Sequence, residues 1–181
     1  MAQPTGSIRY RVWQFFRALT ARVSQGDLET VACMLTPASL ALFEAMAIQD
    51  QRHGLDVYAA LRKAGHTNPD LVAAALLHDV GKAVARLPAW QRAIIVLLDH
   101  FAPRLLARLS QEDPTSWPRP FVVYAQHPET GARWAQEAGC SPLTVALIWR
   151  HEDRIEDCQI GNCQTEEDQL LAALQIADSL N

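Results

Sequence analysis

Six side chains able to bind divalent cations lie at His53, His78, Asp79, His127, His151 and Asp178, each on or beside a segment of helical apolar periodicity. Two are adjacent, in Leu76-Leu77-His78-Asp79-Val80-Gly81-Lys82, where a strongly apolar helix ends in an imidazole, a carboxylate and then a lysine. Burying an imidazole and a carboxylate without partners costs several kcal/mol, and a divalent cation relieves that cost while giving the pair a use. Successive positions on a helix are about 100° apart, so His78 and Asp79 do not chelate as an i,i+4 pair, and further ligands must arrive on other helices. Asp79 is the carboxylate placed to bridge two ions. Imidazole with carboxylate accepts manganese, iron, cobalt, nickel or zinc, and such a centre lowers the pKa of bound water to near neutrality and clamps a phosphoryl oxygen. Lys82 then has a catalytic role: its ammonium can pair with a non-bridging phosphate oxygen, worth about 2–4 kcal/mol by comparison with oxyanion donors. Arg150 is a second candidate for substrate phosphate, with Arg86 behind it.

The order of these residues resembles the HD superfamily of metal-dependent phosphohydrolases, in which a histidine precedes the HD pair and an aspartate lies far downstream. Here His53 and His78 are 25 residues apart, and Ala74-Ala75-Leu76-Leu77-His78-Asp79-Val80-Gly81-Lys82 is similar to the family's central motif. The resemblance runs from about residue 45 to the end of the sequence. It implies that His53, His78, Asp79 and Asp178 hold one ion, and that His127 and His151, with Asp79 shared, hold a second. The settings of the last two histidines, His-Pro-Glu-Thr-Gly-Ala and Arg-His-Glu, resemble segments that carry extra ligands in the HD-GYP branch. That branch has two adjacent histidines where this chain has Arg150-His151, and a Gly-Tyr-Pro signature that residues 153–164 lack. A third metal and cyclic-di-GMP hydrolysis are therefore not implied. Signatures of ppGpp hydrolases and dNTP triphosphohydrolases are also missing, which leaves the substrate pocket unassigned.

The implied activity is hydrolysis of a phosphomonoester or phosphodiester of a small nucleotide-like molecule by a metal-activated water. Two other readings stand beside it. One is a regulatory module that binds metal or nucleotide without turnover and engages a partner protein through its N-terminal helix. The other is a di-iron oxygenase, a use found in a minority of the superfamily and served by a similar six-residue ligand set. The complete ligand set speaks for an enzyme, and Lys82 speaks for phosphate.

The elements that must position these residues read as helices and connectors, with no hairpin signals, so the fold class is all-α. Ser7 caps a basic amphipathic helix through about Val23, with Ile8, Val12, Phe15, Phe16 and Leu19 on one face. Further helices are expected over 27–35, from Pro37 to about Ile48, and from the approach to His53 up to about Gly65. Asn68 or Asp70 caps the helix that ends in the HD pair, where Gly81 suits a terminus. Residues 88–109 read as helical, 111–120 as a proline-rich connector, and 121–125 as a separate approach to His127. A helix over 130–138 stops at Gly139, Pro142 starts the one that delivers His151, residues 153–164 form a loop framing the site, and 166–180 is a helix bearing Asp178.

At 181 residues the chain reads as one domain, with 1–44 a helical extension and 45–181 the HD core, large enough to fold without a metal staple. Its apolar runs are too short to span a bilayer, and the polar start lacks a signal-peptide core, so the expected location is cytoplasmic. A net charge of −4 argues against general nucleic-acid binding and leaves room for a small phosphorylated substrate. Cys33, Cys140, Cys158 and Cys163 form no CxxC pair; Cys33 and Cys140 read as small apolar residues of a reduced interior. His66 and His100 read as structural or exposed.

Overall fold

The computed structural model of the protein describes residues 21–84, 98, 102, 104, 105, 119–153 and 165–181. Among the described residues it is all-helical, with no strand, as the periodicity requires. The long helices are α1 (Gln25–Ala32), α2 (Pro37–Ala45), α3 (Ile48–Lys63), α4 (Pro69–Leu77), α5 (Arg119–Glu137), α6 (Pro142–Arg150) and α7 (Glu166–Ser179), and a 3-10 turn (Val80–Val84) follows α4. Three of them, α2, α4 and α6, start alike: Thr36, Asn68 or Ser141 accepts a backbone N–H of the first turn, and a proline follows where its missing N–H is harmless. Ser24 and Asp27 close a reciprocal capping box on α1. At their other ends α3 and α5 stop in Schellman turns, with Gly65 and Gly139 at positive φ and the next N–H bonded back to Leu61 and Ala135.

The centre of the molecule is α4. From Leu71 to Leu77 only Ala73 is not buried, so the helix is apolar on every side and α3, α6 and α7 pack around it. Val31 and Phe43 from α1 and α2, Leu147 and Ile148 from α6, and Leu170, Leu171 and Leu174 from α7 join it in one hydrophobic cluster. Each fully buried leucine contributes about 1.5–3 kcal/mol. The residue that caps the C-terminal end of so enclosed a helix is interior too, and that residue is His78.

Several expectations are corrected. Residues 21–24 are not helical, and the rest of the expected N-terminal helix lies outside the described residues, as do Arg86, His100, most of 88–109, residues 111–118 and 154–164. The helix from Pro37 stops at Ala45, because Met46 and Ala47 are extended before α3 begins. Cys33 is exposed rather than interior, since α1 ends at Ala32 with Val31 its buried residue; Cys140 is half-buried. His127 does not follow a separate short approach. Helix α5 runs unbroken through it, with Pro128 inside the helix at the loss of one intrahelical hydrogen bond.

Gly81 also has another duty than the one its position suggested. Its φ is not positive, and it is buried where the 3-10 turn crosses α5. A Cβ there would overlap the His127 carbonyl and lie 2.9 Å from the Gly131 nitrogen. On the other side of the site, a Cβ on Gly54 would lie 3.0 Å from the Leu76 carbonyl oxygen, so α3 approaches α4 closely one residue after His53.

Candidate metal centre

Five elements converge at the C-terminal end of α4. Helix α3 brings His53, the end of α4 brings His78, and the following turn brings Asp79 and Lys82. Helix α5 brings His127, the end of α6 brings His151, and α7 brings Asp178. The six predicted ligands form two groups, His53 with His78 and Asp178, and Asp79 with His127 and His151. Within each group the donor atoms lie within 4.8 Å of one another, which suits a shared cation. The rings of His53, His78, His151 and His127 follow one another edge to face with centroids 5.1 to 5.2 Å apart.

Asp79 Oδ1 lies between the groups. It is 3.4 Å from His127 Nε2, 3.7 Å from His78 Nε2, 3.9 Å from His151 Nε2 and 2.6 Å from Lys82 Nζ. Burial alone would push this carboxylate up, but the Lys82 ammonium, His78 and His127 hold it well below the usual carboxylate range. It is an anion at any pH at which the protein would be assayed.

His78 and His151 are the C-caps of their helices and use the same device. Each donates Nδ1–H to the carbonyl three residues back, at 3.0 Å to Ala75 and 2.7 Å to Ile148. The backbone so fixes the tautomer in which Nε2 carries the lone pair and faces the centre. His78 Nε2 is buried with no hydrogen-bond partner. A native interior rarely leaves such an atom unpaired, and a cation is the partner this donor set fits. His127 Nε2 and His151 Nε2 lie 3.2 Å apart, within hydrogen-bond distance of each other and close enough to share one ion. Desolvation lowers both His78 and His151, the latter to about 3, so both are neutral and ready to ligate near neutrality.

The two groups differ in access. His127, His151 and Asp79 are sealed, whereas the side chains of His53 and Asp178 are 27% and 36% exposed. Those two pair at 2.8 Å between His53 Nε2 and Asp178 Oδ1. Burial opposes charge on both, but their contact wins, raising His53 and lowering Asp178 to about 2. The pair's contribution is lost as pH falls from 3.8 toward 2 and again as pH rises from 6.5 through the raised His53 value. Protonated His53 must lose its proton to ligate. Calorimetric titration with zinc chloride at pH 6.5, in buffers of different ionisation enthalpy, is expected to show proton release that shrinks as the pH is raised. Buffer-independent heats at pH 6.5 would count against His53 as a ligand.

Lys82 stands at the mouth of the centre, about one-quarter exposed, against Asp79. Arg150, the other expected phosphate contact, directs its guanidinium to Glu167 Oε1 at 2.5 Å, Asp168 Oδ1 at 3.1 Å and Asp153 Oδ2 at 3.4 Å. Its guanidinium is committed to Asp153 and the first turn of α7, which leaves Lys82 as the cation at the mouth of the centre.

Two neighbours of the centre escape a reading of the sequence. Glu152 Oε1 lies 3.7 Å from His127 Nε2, and the Gln175 amide binds the backbone around His151. Adjacency to His151 was a signal for the first; nothing local marks the second. Among the described residues no helix is long and apolar enough to cross a membrane. Compared with protein-family models, curated proteins and solved structures, the chain matches none.

Proposed function

We propose that this protein is a metal-dependent phosphohydrolase of the HD type, hydrolysing a phosphomonoester or phosphodiester of a small nucleotide-like molecule. The observation that carries the reading is the convergence of six donors, spread from His53 to Asp178, into two adjoining triads with Lys82 on the shared carboxylate. Bound divalent ions would supply Lewis-acid charge to a phosphoryl oxygen and lower the pKa of water.

The chain's own residues do the rest. His53, His78 and Asp178 would hold the accessible ion, His127 and His151 the enclosed one, and Asp79 lies within reach of both. The backbone bonds of His78 and His151 keep their Nε2 atoms aimed without any rearrangement. Lys82 sits where it can exchange its contact with Asp79 for a non-bridging oxygen of the substrate and stabilise the charge that grows there during in-line displacement. The exposed edge formed by His53 and Asp178 is where a small phosphate would arrive.

The same donor set of four histidines and two aspartates also serves the di-iron oxygenase reading, in which Lys82 has no assigned task. One assay separates them. Protein stripped and reloaded with manganese is expected to release phosphate from at least one member of a panel of phosphomonoesters, nucleotides and cyclic nucleotides. Stoichiometric metal binding with no release from any compound would shift the assignment to the oxygenase or to a binding module.

A further inference from the structure

The segment that carries His151 is tied to the helix that carries Asp178 by a side chain outside the six. Gln175 Nε2 lies 3.3 Å from the Arg150 carbonyl oxygen, 3.0 Å from that of His151 and 2.9 Å from that of Asp153. These carbonyls lie at the end of α6 and in the turn that follows it, where the Arg150 carbonyl also accepts the Asp153 N–H. Gln175 stands three residues before Asp178 on α7, so about one helical turn separates the amide that anchors the His151 backbone from the carboxylate of the accessible triad. Arg150 makes the reverse link, from the end of α6 to Glu167 and Asp168 in the first turn of α7.

We propose that Gln175 is a positioning residue that sets the separation of the two ion sites, by holding the last turn of α6, and hence His151, in register with Asp178. The inference rests on the reading of the triads as metal sites. The His151 ring is already fixed to its own helix through Ile148, so what remains to be set is where that helix end lies relative to α7. Arg150 fixes it against the first turn of α7, and the Gln175 amide fixes it at the level of His151, one turn from Asp178. A leucine would keep the bulk of glutamine and remove only the amide donor, which separates donation from packing. Loss of a group that orients a ligand in this way costs about 10–100-fold in metal affinity.

The test uses the full chain, stripped of metal and titrated with cobalt(II), with stoichiometry by equilibrium dialysis, the cobalt absorption spectrum recorded and the thermal midpoint measured on metal-free protein. Wild type is expected to bind two ions. Gln175→Leu is expected to weaken one of them about 10–100-fold, to alter its spectrum, and to leave the other ion and the midpoint essentially unchanged. Gln175→Lys, which restores a donor to the same carbonyls, is expected to recover most of the affinity. In a His53→Ala background, which disables the accessible triad, Gln175→Leu is expected to weaken the remaining ion by the same factor of about 10–100. Wild-type affinities for both ions in Gln175→Leu, equal impairment of the Leu and Lys variants, or a uniform loss at both sites with a lowered midpoint would each overturn the positioning role. Failure of wild type to bind any ion would instead remove the metal reading itself.

Discussion

Asp79→Ala is expected to cut phosphate release by at least about a hundredfold to a thousandfold and to lower bound metal, while the far-ultraviolet circular dichroism stays that of the wild type. The reason is the position of a single oxygen. Asp79 Oδ1 has Lys82, His127, His78 and His151 within 3.9 Å, so its removal strips both triads of their common anion and takes away the anion that Lys82 and His78 face. The cost to folding is expected to be modest, about 1–3 kcal/mol, because the Lys82 head is near the surface and can turn to water. Asp79→Asn keeps the shape and removes the charge, and is expected to lose turnover equally. Unchanged turnover in either variant, measured beside metal content, would sink the assignment of Asp79.

The second large effect is expected at a residue with no chemistry. Gly81→Ala would drive a methyl group into the His127 carbonyl and against the Gly131 nitrogen, and both are backbone atoms of α5 that no rotamer change can clear. Either the 3-10 turn or α5 must shift. Because Asp79 immediately precedes the turn, Lys82 lies on it and His127 lies on α5, a shift also disturbs the enclosed triad. We expect a loss of about 3 kcal/mol in urea unfolding, at the upper end for overpacking, together with loss of one bound ion. Gly131→Ala, whose Cβ would meet its nearest neighbours at 3.2 Å, is expected to be milder. A Gly81→Ala protein with the wild-type unfolding midpoint and full metal content would show that the turn has slack where none is expected.

Much of the fold is legible because its signals are local. Thr36-Pro37, Asn68-Pro69 and Ser141-Pro142 each announce a helix start within two residues, and Gly65 and Gly139 announce stops. The six donors could be picked out for a different reason: their types and order resemble a known pattern, and the structure brings all six together. What could not be read depends on partners distant in the chain. Pro128 is a helix breaker by local rules, yet α5 continues through it, its ends anchored by the buried Val122, Ala132 and Ala135 and by packing on α6 and the 3-10 turn. Gly81 looks like a terminator until the backbone of His127 is placed against it. Gln175 is an unremarkable polar position on α7 until three carbonyls from the end of α6 arrive beside it, and Arg150 looks like a phosphate ligand until Glu167 and Asp168 take up its guanidinium.

The unequal exposure of the two triads has a consequence in time. An ion at His53, His78 and Asp178 would meet solvent at two partly exposed ligands, whereas one at Asp79, His127 and His151 would be held wholly by buried side chains, and its exchange is expected to be the slower of the two. Brief chelation would therefore yield a half-loaded protein before a metal-free one, and the metal present while the chain folds would leave its identity in the inner position long after the outer one had equilibrated with its surroundings.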